Sequence, residues 1–292
     1  METLLGATLP DATTPFGEAW TLSDRAEAQS TTADGTTLHE LWTHHREEVF
    51  GKTLLNCPSP TFPLLMKILD ACDDLSIQVH PPESMAAALK GEAKTEMWFV
   101  AHAEPGSKIY AGLKAGVSRP DFEASLENGT VADMVHVIEP RSGDCLFIPS
   151  GRVHAIGAGL LIYEIQQNSD TTYRVFDWNR VGLDGRPRTL HIRESLDSID
   201  FEDSAPAVQQ ICGDGTLVKC EFFDVRLCGK PGAAGTPGEC VTLAVVGGAI
   251  RVGGVTLTAG DFALLPASMD AKSRAVTPVD ATSQWLEIRI PA

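Results

Sequence analysis

Short stretches rich in Val, Ile, Leu and Thr recur along the chain between glycines and prolines, the punctuation of a mostly β protein. Strands are expected at residues 75–79, 134–138, 145–148 and 160–166. Helical signals concentrate in the first two-thirds. Residues 81–91, PPESMAAALKG, combine a Ser or Glu start, an Ala-rich body and a Gly stop. Residues 118–129, SRPDFEASLENG, place Ser118 as N-cap, Pro120 in the first turn and Asn128-Gly129 as terminator. Residues 61–71, TFPLLMKILDA, form a third and more apolar helical candidate.

The pattern repeats internally. Residues 143–154 read GDCLFIPSGRVH and residues 260–271 read GDFALLPASMDA. Each copy has Gly-Asp, an apolar strand of the same length, then Pro at the same spacing. This reads as a turn, a strand in a sheet wall, and a proline that ends the strand. His154 of the first copy is matched by Ala271 of the second, so one copy keeps a candidate ligand that the other lacks. A linker is expected near residues 200–212, which are acidic, Pro-containing and weakly patterned.

At 292 residues the chain exceeds what one compact core usually holds. Its 39 Asp and Glu against 23 Lys and Arg give a formal charge of −16, which repels nucleic acid and anionic lipid. A phosphorylated ligand would be repelled at long range too, so a site for one must concentrate positive charge locally. The seven cysteines form no CxxC pair and suggest a reducing compartment. No apolar run is long enough to cross a bilayer, and the first 20 residues do not read as a signal peptide. A cytoplasmic protein without nucleic-acid or membrane partners is expected.

Chemistry concentrates in three places. In Leu75-Ser76-Ile77-Gln78-Val79-His80, strand alternation puts Ser76, Gln78 and His80 on one face and Ile77 and Val79 on the other. This is half of a metal site or the polar face of an edge strand. In residues 94–100, Glu96 and Trp98 share a face with Lys94 beside them; a lone Glu in a strand is more often surface. His154 follows a turn from which it could re-enter the interior. Two imidazoles and a carboxylate suit zinc with open positions, although spacing alone does not make them converge.

GDCLFIPSGRVH matches the second cupin motif, Gly-x5-Pro-x-Gly-x2-His, at every defined position. GEAWTLSD, LSIQVHP, KTEMW, GRVHAIG and NSDTTYR occur in the order seen in class I mannose-6-phosphate isomerases, and the chain resembles the short bacterial form of that family over roughly residues 15–195. The longer enzymes carry Asn-His-Lys-Pro-Glu where this chain has Glu92-Ala93-Lys94-Thr95-Glu96, again as in the short form. The resemblance implies a mainly β fold of two cupin (double-stranded β-helix) barrels with a few helices inserted in the N-terminal part. Residues 1–205 would be the catalytic domain and residues 206–292 a degenerate barrel without metal ligands. It implies interconversion of mannose 6-phosphate and fructose 6-phosphate by a monomer or homodimer with one zinc per chain. Gln78, His80, Glu96 and His154 would be the metal ligands, Arg174 a catalytic residue, Glu164 a weaker candidate for proton shuttling, and Ser76 and Lys94 substrate-binding residues. Lys94, Arg174 and Arg152 would supply the local positive charge, Arg152 being placed there only by its position beside His154.

Two other readings remain at this stage. Another metal-dependent cupin enzyme, an oxygenase or epimerase, would share the barrel, but oxygenases usually hold iron with more histidines, and Gln78 stands where a second His often does. A non-catalytic sugar-phosphate-binding cupin would be expected to lose Arg174 or a ligand. For Arg174 itself, the alternative is a surface ion pair with Asp170 or Asp177.

Overall fold

The computed structural model describes Leu5 and residues 17–181, 185–211 and 213–291. Strand accounts for 38% of the chain and helix for 15%, so the mainly β expectation holds. Contacts group the chain into two compact units, Leu69–Val208 and a second made of Met1–Ile68 with Gln209–Ala292. The break at Val208 falls in the expected linker. Residues up to Ile68 fall with the C-terminal residues in this grouping. Backbone hydrogen bonds from Ala267 to Val49 and from Ser268 to Glu48 are part of the reason.

In the unit Leu69–Val208, strands Leu160–Gln167, Glu96–Ala103 and Asp144–Ile148 lie side by side in one sheet. A second sheet runs in the order Tyr173–Phe176, Ile77–Val79, His154–Ile156, Ile109–Leu113, Val135–Ile138. Directly opposite residues of antiparallel neighbours share a face, and the register makes one interior face of the first sheet graded. Gln166 pairs with Glu96, Glu164 with Trp98 and Ile162 with Val100. Polar side chains therefore occupy one end of the interior and apolar ones the other. The second sheet repeats the gradient: Gln78, His154 and Arg174 form one cross-strand row, while Ile156 pairs with Ile109 further along. Trp98, Val100, Ile109, Leu146, Ile156 and Ile162 pack together as the apolar end.

On its other face the second sheet presents Ile77, Val79, Ala155 and Val175 to a cluster that includes Phe122 and Leu196. These come from helices Arg119–Asn128 and Ile192–Ser198. The first of these helices starts and stops as its sequence predicts. Ser118 and Asp121 form a capping box, and Gly129 ends it at φ 70°, a left-handed conformation that costs glycine little. Residues 81–91 give only a single helical turn, Glu83–Ala86.

Residues 61–71 correct an expectation: Leu64–Ala71 is a strand. Every residue from Leu64 to Leu69 is buried, so the segment carries no polar face to reveal its period. A run this long whose Lys67 is itself buried fits a strand covered on both sides as well as it fits a helix.

The other unit carries two sheets of its own, one in the order Gly215–Lys219, Asp224–Cys228, Gln284–Arg289, Val241–Gly247, Phe262–Leu265 and one built around Ala249–Val252. The repeated motif behaves alike in both units. Phe262–Leu265 ends at Pro266 as Asp144–Ile148 ends at Pro149. Among the described residues, no helix is long and apolar enough to cross a membrane. Cys57, Cys72, Cys145, Cys220, Cys228 and Cys240 are free thiols, and Cys212 lies outside the described residues.

Candidate metal centre and active site

Three of the expected ligands converge at the polar end of the interior of Leu69–Val208. His80, Glu96 and His154 are all buried, and one donor atom from each lies within 4.8 Å of the others. It is the only such group of three or more among the described residues. His80 Nε2 is 3.7 Å from Glu96 Oε2, and His154 Nε2 is 3.5 Å from Glu96 Oε1. Strand alternation accounts for the convergence: Glu96 opens one strand, His154 opens another on the facing sheet, and His80 follows Val79 at the end of a third. Trp98 stands edge-on to the His154 ring at 5.4 Å, a direct contact between the two sheets.

The other nitrogen of each imidazole is fixed by the backbone. His80 Nδ1 is 2.8 Å from the Thr171 carbonyl, and His154 Nδ1 is 2.9 Å from the Arg152 carbonyl. A carbonyl only accepts, so each Nδ1 carries a proton and each Nε2 is left facing Glu96. Burial pushes the His154 pKa down to about 4, against the opposing pull of the Arg152 carbonyl. The ring is therefore neutral near pH 7. Below its unfolded value near 6.5, the unfolded state binds a proton that the folded ring resists, so stability falls as pH drops from about 6.5 to 4. For metal-free protein we expect a loss of about 3 kcal/mol across that window, from the lowering of the His154 pKa to about 4. Urea melts at pH 7 and pH 4 on the wild type and His154→Ala would test it; an equal acid loss in both proteins would remove His154 as the cause.

Lys94 and Glu164 complete the cluster. Lys94 Nζ lies 2.8 Å from Glu96 and 3.3 Å from Glu164, and Trp98 Nε1 donates to the other Glu164 oxygen at 3.0 Å. Burial disfavours the Lys94 charge, but the Glu164 and Glu96 carboxylates outweigh it and raise its pKa above the ordinary value. Glu96 and Glu164 set two carboxylates against the one ammonium of Lys94 in this buried pocket, an excess of acidic charge. A divalent cation would offset that charge, and the nitrogen and oxygen donors match those of an open zinc site. Gln78 adjoins the group through its amide, 3.3 Å from His154 Nε2.

Arg174 sits directly opposite Gln78 in the row that holds His154. It is half-buried, and its Nε has no hydrogen-bond partner among the described residues. The surface ion pair that would have explained it with Asp177 goes to other residues. Asp177 is paired with Arg180 at 3.0 Å and Arg188 at 2.5 Å. Burial, with the charge of nearby Arg188, lowers the Arg174 pKa. Arg180 and Arg188 were missed in the sequence because their spacing to Arg174 has no regular period. Ser76 is buried two residues before Gln78.

Arg152 turns out otherwise than expected. Its guanidinium is committed to Asp203, at 2.8 and 2.7 Å, and to the Phe147 carbonyl at 2.8 Å. It contributes to the site through its backbone carbonyl, which holds His154.

Comparison with known proteins agrees with this architecture. Residues 1–96 match the family model described as "Phosphomannose isomerase type I, catalytic domain". The chain is 40% identical over 230 residues to a mannose-6-phosphate isomerase of Streptococcus mutans, covering 75% of this chain and 70% of the relative. It is 36% identical over 242 residues to the mannose-6-phosphate isomerase ManA of Bacillus subtilis, covering 78% of this chain and 74% of the relative. The crystal structure of the mannose 6-phosphate isomerase from Bacillus subtilis superposes with a TM-score of 0.80 at 28% identity, over 99% of this chain and 94% of that one. With identity at this level over most of the length of both partners, the chain belongs to the type I phosphomannose isomerase family.

Proposed function

We propose that this chain interconverts mannose 6-phosphate and fructose 6-phosphate, with one zinc ion held by His80, Glu96, His154 and Gln78. The observation that carries the reading is the convergence of two imidazole nitrogens and a carboxylate oxygen within 4.8 Å, beside the Lys94–Glu164 pair. Gln78 can join by turning its amide so that Oε1 replaces Nε2. Bound there, zinc supplies Lewis-acid polarisation and a template for substrate oxygens.

The remaining steps fall to side chains. Glu164 takes the proton from C2 of the aldose and returns it at C1, while the hydroxyl proton passes from O2 to O1; the product is the ketose. Trp98 holds one Glu164 oxygen still, so the oxygen facing Lys94 does the transfer. Negative charge grows on substrate oxygen as the enediol-type intermediate forms. Arg174, beside Gln78 in the cross-strand row and with an unused Nε–H, stabilises it. Lys94 is committed to two carboxylates and so binds substrate at the reacting carbons, with Ser76 alongside, and not at the phosphate. Arg174, Arg180 and Arg188 provide the positive charge that the acidic surface lacks, and draw the phosphate to that side.

We further propose that each unit's paired sheets form a cupin barrel. Residues 69–208 would do the chemistry, and the C-terminal sheets, which contain no histidine, would serve packing. The protein works in the cytoplasm on free sugar phosphate as a monomer or homodimer. A coupled assay for fructose 6-phosphate formation, with chelator and zinc add-back, tests the reaction. Turnover lost on chelation and restored by zinc is expected; turnover indifferent to both would sink the metal assignment.

A further inference from the structure

Gln166 is fully buried and pairs directly across from Glu96, yet no ligand or catalytic task falls to it. Its amide nitrogen donates to two carbonyls, Gln167 O at 2.8 Å and Ser169 O at 2.7 Å. Both partners only accept, so the amide has one orientation: nitrogen toward the loop after the strand. Its Oε1 is left buried without a hydrogen-bond partner among the described residues, a cost of roughly 1–3 kcal/mol that a structure tolerates where the donors are needed.

What the donors hold is the loop that sets His80. From Ser169, the hydroxyl donates to Glu92 O at 3.2 Å and accepts from Thr171 N at 3.2 Å. Thr171 Oγ1 accepts from Glu92 N at 2.9 Å, and the Thr171 carbonyl takes the His80 Nδ1 proton at 2.8 Å. The Gln167 side chain accepts from Thr95 N at 2.8 Å, tying the same loop to the residue beside Glu96. Gly91 lets the loop lie close: a Cβ there would fall against the Tyr173 hydroxyl and 2.8 Å from the Thr171 methyl.

We infer that Gln166 is a positioning residue for the metal centre, stapling residues 167–171 so that the Thr171 carbonyl fixes the tautomer and aim of His80. The inference rests on the zinc-site reading above. Groups that orient metal-bound histidines typically govern affinity by about 10–100-fold. Gln166→Met keeps the volume and removes both donors.

The experiment loads wild type and Gln166→Met with zinc and measures transfer of zinc to a competing chelator, with circular dichroism to confirm folding. We expect the variant to hold zinc about 10–100-fold more weakly and to regain turnover in excess zinc. A general loosening of the fold would not be reversed that way. Affinity within about threefold of wild type in a folded variant overturns the inference, taking threefold as well below that range. Should Gln166→Met not fold, Ser169→Ala is read instead; it cuts the next two links, and unchanged affinity there overturns the inference equally. If the wild type itself holds no zinc, the metal-site reading fails and takes this inference with it. A zinc-binding wild type with an unaffected variant removes the inference alone.

Discussion

His154→Ala is expected to abolish turnover and to weaken zinc binding by well over the roughly 100-fold upper end seen for outer-sphere changes. The side chain is fully buried, its Nδ1 proton is held by the Arg152 carbonyl, and its Nε2 faces Glu96 at 3.5 Å. Removing it deletes a donor that no neighbour can replace, because Gln78 already adjoins the same point and Trp98 fills the other side. The β framework should survive. His154 opens a three-residue strand whose backbone pairing with Gln78 and Ala111 needs no side chain. Equilibrium dialysis with zinc, circular dichroism and the coupled assay together read the three parts. Full turnover in a folded variant would falsify the site.

Arg174→Ala should separate chemistry from metal. Loss of one fixed donor to a developing oxyanion costs about 100- to 1,000-fold in kcat. Zinc occupancy should stay near that of the wild type, since Arg174 is a neighbour of Gln78 in the sheet and no donor to the metal. Arg174→Lys restores charge without the planar fork, so only part of the rate is expected back. Zinc lost from Arg174→Ala in parallel with activity would instead make Arg174 a structural support for Gln78. The presence of Arg180 and Arg188 on Asp177 adds a check: KM for the phosphorylated substrate should rise less than kcat falls, because those two guanidiniums remain.

How much of this was legible along the chain differs from residue to residue. The helix at Arg119–Asn128 was readable from both ends because capping is local: Ser118, Asp121 and Gly129 act on backbone groups within one turn. The strand ending at Pro149 was readable for a similar reason, and so was the shared face of Gln78 and His80. Residues 61–71 were misread because period is the signal that separates strand from helix, and an unbroken buried run has none. The grouping of residues up to Ile68 with the C-terminal residues was not legible because contacts such as Ala267 to Val49 join positions more than two hundred residues apart.

The sequence by itself determined the predominance of strands, the candidate donor residue types, and, through motifs in order, the family. These follow from short-range rules of alternation, capping and turn chemistry, and from resemblance. Only the tertiary structure decided which side chains meet. It brought His80, Glu96 and His154 within 4.8 Å, gave Lys94 to two carboxylates, withdrew Arg152 to Asp203, and set Gln166 behind the loop that aims His80. The physical reason is that strand register fixes which residues stand opposite one another, and register is settled by packing across whole sheets.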